Sequence, residues 1–145
     1  MLHDLARLYP AERLIAECEA RGIPIDAFGR KHPIVLHAPL GAELARERFG
    51  VTDEAVLQAI RRHTLAAADM SRLDEIVYLA DGLEPGRSFA ERATYEALAF
   101  RSLDDAMEAV LRSSLGYLRE SNLEAAPQTL TALRRYQSQR SSLSA

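Results

Sequence analysis

Several residue types that mark common protein classes are scarce or missing in this 145-residue chain. There is no tryptophan, and aromatic residues make up only 6%, which argues against a stacking platform for single-stranded nucleic acid. Cys18 is the only cysteine, so an internal disulfide, a zinc ribbon and a CxxC redox site are excluded. A single cysteine fits a reducing compartment, and we expect a cytoplasmic protein.

An excess of positive charge and long apolar runs are also lacking. The formal net charge is -3, so the chain has no broad basic surface for duplex nucleic acid or an anionic membrane. A local phosphate-binding pocket stays compatible with that charge. No apolar run approaches the ~20 residues that cross a bilayer. We therefore expect neither nucleic acid nor membrane as a partner.

Helix signals cover most of the chain. Hydrophobic residues make up 48% and charged residues 27%, which is ordinary for a globular domain. Apolar residues recur at helical spacing after capping residues, and no stretch alternates with period two. The predicted caps include Thr52, Ser71 with Asp74 as a weak capping-box partner, and Ser102. The sequence predicts an all-α fold of roughly seven helices in one domain, residues 1–145, with a flexible tail from about residue 138. The predicted helices are 10–21, 38–48, 52–63, 71–81, 88–100, 102–118 and 129–137, with 1–7 as the end of a helix and 22–37 mostly loop.

Histidines and two aspartates carry the candidate chemistry. The histidines, all in the first half, are His3, His32, His37 and His63; the carboxylates are Asp4 and Asp81. Imidazole and carboxylate without thiolate suit iron, manganese or a similar divalent ion better than structural zinc. The adjacent His3 and Asp4 could bind one ion at a helix end, or Asp4 could bridge two. Each histidine taken singly is more often a surface or core residue than a ligand, and Asp81 could merely cap its helix.

The order of the surrounding motifs is more specific than any single residue. His3-Asp4 is followed by LHAPLGAELARERFGV with His37, AIRRHT with His63 and YLADGLEPGR with Asp81. This series resembles the HD-domain metal phosphohydrolases, and more narrowly the symmetrical bis(5'-nucleosyl)-tetraphosphatases, over essentially the whole chain. The resemblance implies an HD-type helical bundle that cleaves diadenosine tetraphosphate into two ADP molecules. It also implies a divalent metal cofactor, namely two iron ions, or manganese or a similar ion.

The resemblance also implies roles for particular residues. The implied metal ligands are His3, Asp4, His37, His63 and Asp81, with Asp4 bridging the ions. Asp4, Arg7 and Arg87 would serve catalysis, the two arginines by neutralising phosphates. Thr64 and Glu84 would join the arginines on the substrate side. His32 is expected to have a structural or supporting role.

The chain departs from the family pattern at its start. The pattern begins with a further histidine several tens of residues before the HD pair, whereas this chain begins two residues before His3. We expect either an N-terminally shortened chain or a protein completed by a second copy as a homodimer. Two other functions stay open: a catalytically impaired nucleotide-binding or scaffolding HD module, and an HD phosphohydrolase of another nucleotide.

Overall fold

The structure is a computed structural model that describes residues 2–143 and, for residues 140–143, the backbone alone. Within this range every regular element is a helix, which confirms the all-α prediction. The α-helices are α1 (Ala11–Ala20), α2 (Ala27–Lys31), α3 (His37–Phe49), α4 (Glu54–Arg62), α5 (Arg72–Gly82), α6 (Arg92–Ala99), α7 (Leu103–Glu120) and α8 (Pro127–Leu143), and the 3₁₀ turns are Leu2–Asp4 and Pro33–Leu36. None of the described helices is long and apolar enough to cross a membrane.

Backbone contacts divide the chain into two compact units, Met1–Thr64 and Leu65–Ala145. The first unit holds α1 to α4 and both 3₁₀ turns, and the second holds α5 to α8. Each unit has its own apolar core. The single domain predicted over residues 1–145 stays a prediction.

In the first unit α3 is the central helix. It packs against α1, α4 and both 3₁₀ turns. Leu14 and Cys18 of α1 are buried in one cluster with Leu40 and Leu44 of α3. Burying a leucine side chain contributes about 1.5–3 kcal/mol, so these residues hold the unit together. The apolar pattern of α3 also predicted burial of Phe49, which is wrong because Phe49 is 58% exposed. A second cluster joins α3 to α4 and consists of Ala42, Ala45, Leu57 and Ile60.

The ends of several helices differ from the prediction in this unit. The segment 22–37 is more ordered than predicted, because Asp26 caps the short helix α2 by accepting a 2.7 Å hydrogen bond from the Gly29 backbone N–H. The first residues form a 3₁₀ turn, Leu2–Asp4, and not the end of an α-helix. Asp53, one residue after the predicted cap, accepts from the Ala55 backbone N–H at the start of α4. Short turns of three to five residues have too few positions to show a helical period.

In the second unit α7 is the central helix, packed against α5, α6 and α8. Ser71 and Asp74 form the predicted capping box of α5, and Ser102 caps α7 as predicted. Helix α6 begins at Arg92 without a side-chain cap, four residues after the predicted start. Helix α8 continues to Leu143, so its predicted end at Gln137 is wrong, and residues 144 and 145 lie outside the described residues.

The buried face of α5 is not the predicted one. The apolar pattern predicted burial of Leu73, Ile76, Val77 and Ala80. In the structure Ile76 is 50% exposed, whereas Asp74 and Glu75 are 0% and 1% exposed. Tyr78 and Leu79 complete the buried face. Buried carboxylates are tolerated only when hydrogen-bonded, and here the Asp74 carboxylate accepts from the Ser71 backbone N–H and Glu75 accepts from Tyr136.

Candidate metal centre

The first 3₁₀ turn supplies an adjacent histidine and aspartate. His3 is 9% exposed, and its Nε2 lies 3.5 Å from Oδ2 of Asp4. The Asp4 side chain keeps 40% exposure and therefore contacts solvent as well as the histidine. The turn thus presents one imidazole and one carboxylate to the same point.

Two further histidines come from the ends of helices. His37 is the first residue of α3, and its Nδ1 lies 2.5 Å from the carbonyl oxygen of Ile34. His63 follows the last residue of α4, and its Nδ1 lies 2.7 Å from the carbonyl oxygen of Ile60. A carbonyl oxygen can only accept, so each Nδ1 carries the hydrogen. In the neutral rings each Nε2 therefore carries a lone pair, which is the form that binds a metal.

These lone pairs point at one another. The Nε2 atoms of His37 and His63 are 3.2 Å apart. Oδ1 of Asp4 lies 3.6 Å from the first and 3.7 Å from the second. Two imidazole lone pairs and a carboxylate repel one another unless positive charge lies among them.

The spacing fits a divalent cation. Ligand atoms at ~2.1 Å from one ion are about 3–3.5 Å from one another in tetrahedral or octahedral geometry. His3, Asp4 and His63 also offer ligand atoms that all lie within 4.8 Å of one another. The donor set is nitrogen and oxygen without sulfur, which fits a divalent ion, and the choice of iron or manganese stays a prediction. The geometry therefore supports a metal centre in the first unit.

Burial keeps one of the histidines neutral. The pKa of His37 is lowered, chiefly because the ring is buried, and the charges of His63 and Arg7 lower it further. The hydrogen bond to Ile34 and the charge of Asp4 act in the opposite direction. A metal ion competes with protons for the ring nitrogen, so a neutral His37 is the state ready to bind.

Thr64 and Arg7 lie beside this group. The Thr64 hydroxyl oxygen is 3.2 Å from Nε2 of His37 and 3.3 Å from Nε2 of His63. The predicted substrate-side hydroxyl thus touches the predicted ligands themselves. Arg7 is exposed, and its backbone N–H donates a 3.0 Å hydrogen bond to the Asp4 carbonyl oxygen.

The second unit holds the remaining predicted site residues. Asp81 lies in the last turn of α5, where Nη2 of Arg87 is 3.3 Å from its Oδ2. Glu84 pairs with the same arginine, its Oε1 being 3.8 Å from Nε of Arg87. Burial and the charge of Asp81 raise the pKa of Tyr78 to about 12. Asp81, Glu84 and Arg87 are therefore one charged group, and the role of Asp81 as a ligand stays a prediction.

Two contributors could not be predicted from residue types. The carbonyl oxygens of Ile34 and Ile60 orient the two helix-end histidines, and a backbone acceptor leaves no side-chain signature. The only indication in the sequence was that each histidine follows its isoleucine by three residues at a predicted helix end. His32 lies elsewhere, with its ring centroid 4.6 Å from that of Phe28, and its supporting role stays a prediction.

The same fold and motifs occur in known proteins. The family model of the HD domain matches residues 1–86, a range that includes all five predicted ligands. The "Bis(5'-nucleosyl)-tetraphosphatase, symmetrical" of Bacillus subtilis is 31% identical over 89% of this chain and 69% of its own length. The protein of the same name from Halalkalibacterium halodurans is 34% identical over 88% of this chain and 78% of its own length.

A solved structure agrees with these sequence comparisons. It is described as a predicted HD superfamily hydrolase involved in NAD metabolism from Clostridium acetobutylicum. It is 29% identical and has a TM-score of 0.91, covering 95% of this chain and 73% of that protein. The likeness confirms the predicted HD-type helical fold.

Proposed function

This chain belongs to the HD-domain family and, within it, to the symmetrical bis(5'-nucleosyl)-tetraphosphatases, and from that premise we propose that it is a metal-dependent hydrolase. Its proposed substrates are diadenosine tetraphosphate and related dinucleoside tetraphosphates, cleaved at the centre into two nucleoside diphosphates. The observation that carries the proposal is the approach of the His37 and His63 Nε2 atoms to Asp4.

We propose His3, Asp4, His37, His63 and Asp81 as the residues that hold two divalent ions. Iron is the first choice, and manganese or a similar ion is the alternative. When bound, the ions would neutralise phosphate charge and lower the pKa of a bound water, so that the water loses a proton and becomes a nucleophile for phosphorus. The two oxygens of Asp4 support a bridging role, because Oδ2 faces His3 while Oδ1 faces His37 and His63.

The arginines are proposed to bind the phosphate chain. A tetraphosphate bridge carries several negative charges, and an arginine can donate two parallel hydrogen bonds to one phosphate. Arg7 is exposed next to the His3–Asp4 turn, and Arg87 is half-exposed. Asp81 and Glu84 hold the Arg87 guanidinium in place and leave donors on its exposed side.

Thr64 is proposed to orient the reacting groups. Its hydroxyl lies 3.2–3.3 Å from two proposed ligand nitrogens and can donate or accept. A hydroxyl in this place can hydrogen-bond to a phosphate oxygen or to water near the ligands. Its backbone follows His63 directly, so its position is tied to that of the ligand.

A product analysis tests the proposed activity. The full chain, freed of metal by a chelator and then given ferrous iron or manganese, should convert diadenosine tetraphosphate into ADP alone. Formation of ATP and AMP would show asymmetric cleavage and contradict the proposal. Binding of the nucleotide without turnover under all metal conditions would identify a binding module instead.

A cytoplasmic location and a homodimer belong to the same proposal. The single cysteine suits a reducing compartment. The exposed Leu8, at 94%, is an apolar residue in the first unit that a second copy could cover. Sedimentation that finds only monomer at high protein concentration would refute the dimer.

A further inference from the structure

Gly41 lies at the point where the first 3₁₀ turn rests on α3. A methyl group added at Gly41 would lie 3.1 Å from the carbonyl oxygen of His3 and 3.7 Å from Cγ2 of Ile60. The first distance is shorter than an ordinary contact, and the group it meets is backbone. The turn could relieve the contact only by moving away from the helix.

All the proposed ligands of the first unit depend on this contact. His37 precedes Gly41 by four residues and lies on the same face of α3. Ile60 provides the carbonyl oxygen that orients His63. His3 and Asp4 belong to the turn that the glycine supports. A single residue without a side chain thus adjoins the elements of the first unit that carry proposed ligands, namely the first 3₁₀ turn, α3 and α4.

We propose that Gly41 is a positioning residue of the metal centre, because its lack of a side chain sets the distance between the His3–Asp4 turn and the two helix-borne histidines. The inference rests on the proposed function, since it assumes that these side chains bind metal. Metal–ligand distances in proteins vary by only about 0.2 Å. A shift of the turn by a few tenths of an ångström would therefore weaken the centre without unfolding the unit.

Manganese binding by the full chain tests the inference. Mn²⁺ affinity should fall by about 10- to 100-fold in Gly41→Ala, the range seen when groups that support metal ligands are lost. Gly41→Ser, which adds one more atom, should lose at least as much. The metal-free melting temperature of Gly41→Ala should stay within about 4 °C of the wild type.

Gly116→Ala is the matched control. Gly116 also lies inside a helix, α7, but a methyl group there meets nothing within 4 Å. Its Mn²⁺ affinity should stay within about twofold of the wild type, because its substitution changes helix propensity without a new contact. A loss in both glycine variants would assign the effect to the helices in general and overturn the inference.

The remaining outcomes separate the inference from the proposed function. Wild-type affinity in Gly41→Ala, or a metal-free Gly41→Ala that does not fold, would overturn the positioning role and leave the proposed hydrolase untouched. A wild type that binds no Mn²⁺ would overturn both the metal centre and the inference. A wild type that binds Mn²⁺ but cleaves no nucleotide would refute the proposed activity, while the loss in Gly41→Ala would still support the inference.

Discussion

The two units bury polar groups in opposite ways. In the second unit the Glu75 carboxylate is 1% exposed, and it accepts hydrogen bonds from Tyr136 at 2.7 Å and from Arg72 at 2.8 Å. In the first unit the buried His37 and His63 turn their lone pairs toward each other and toward Asp4. Two donors thus satisfy the Glu75 carboxylate, whereas the acceptor atoms of His37, His63 and Asp4 lie next to one another.

The difference separates a fold-stabilising group from a binding site. Hydrogen bonds to Asp104 and Glu75 raise the pKa of Arg72, and burial with the Glu75 contact raises the pKa of Tyr136. Arg72 therefore stays charged and Tyr136 stays neutral at neutral pH, and both donate hydrogen bonds to the Glu75 carboxylate. The acceptor cluster of His3, Asp4, His37 and His63 has the Thr64 hydroxyl as a neighbouring donor, and a bound cation would satisfy several of its acceptors at once.

Removing either proposed carboxylate ligand, Asp4 or Asp81, should have the largest effect. We expect Asp4→Asn to lower turnover of diadenosine tetraphosphate by at least about 100-fold, because loss of a direct ligand exceeds the 10- to 100-fold effect of supporting groups. The Asp4 side chain is 40% exposed, so the metal-free melting temperature should change little. Steady-state assays with saturating manganese and thermal melts measure the two effects. Near-normal turnover would remove Asp4 from the centre.

Substitution of Asp81 should also remove activity, although Asp81 lies in the second unit. We expect Asp81→Ala to abolish measurable turnover with little loss of fold, because Asp81 lies in the last turn of α5 and is not part of its buried face. The control is Glu84→Ala, which removes the other partner of Arg87 and should cost less activity. Full turnover in Asp81→Ala would show that the metal assignment is wrong.

Glu75 should show the opposite pattern. Glu75→Ala leaves the Tyr136 hydroxyl without its buried acceptor, which should lower the free energy of unfolding by roughly 1–3 kcal/mol. Glu75→Gln keeps an acceptor oxygen and should lose less. Urea unfolding of the metal-free chain measures both values. If Glu75→Ala were as stable as the wild type, the comparison between the units would lose its basis.

Substitution of Thr64 should have the smallest effect of the four substitutions. We expect Thr64→Val to lower turnover by about 10-fold, near the lower end of the range for groups that support ligands. Thr64→Ser keeps the hydroxyl and should retain most of the activity. An equal loss in both variants would indicate that the methyl group, and not the hydroxyl, matters at this position.

The sequence predicted much of the helical framework. Local spacing predicted the buried Leu14 and Cys18 of α1, the buried Leu40 and Leu44 of α3, the caps of α5 and α7, and the last-turn position of Asp81. These features depend on residues within one or two turns of each other, which is the range that periodicity and capping rules cover.

Features set by distant contacts could not be predicted. The pattern assigned Ile76 to the core of α5, but it is 50% exposed, and Glu75 is buried because Tyr136, 61 residues away, donates to it. The lack of room for a side chain at Gly41, next to the His3 backbone, involves residues 38 positions apart and likewise could not be predicted from local spacing. The approach of His37 to His63 was expected from the resemblance alone, since no spacing rule relates two helix ends.

Exposure is graded across the acceptor cluster. The side chain of Asp4 is 40% exposed, whereas those of His3, His37 and His63 are 10%, 6% and 1% exposed. The carboxylate thus lies on the solvent side of the cluster, and the imidazole rings form its buried side. Solvent can therefore reach the cluster at Asp4 while the three imidazole rings stay in place.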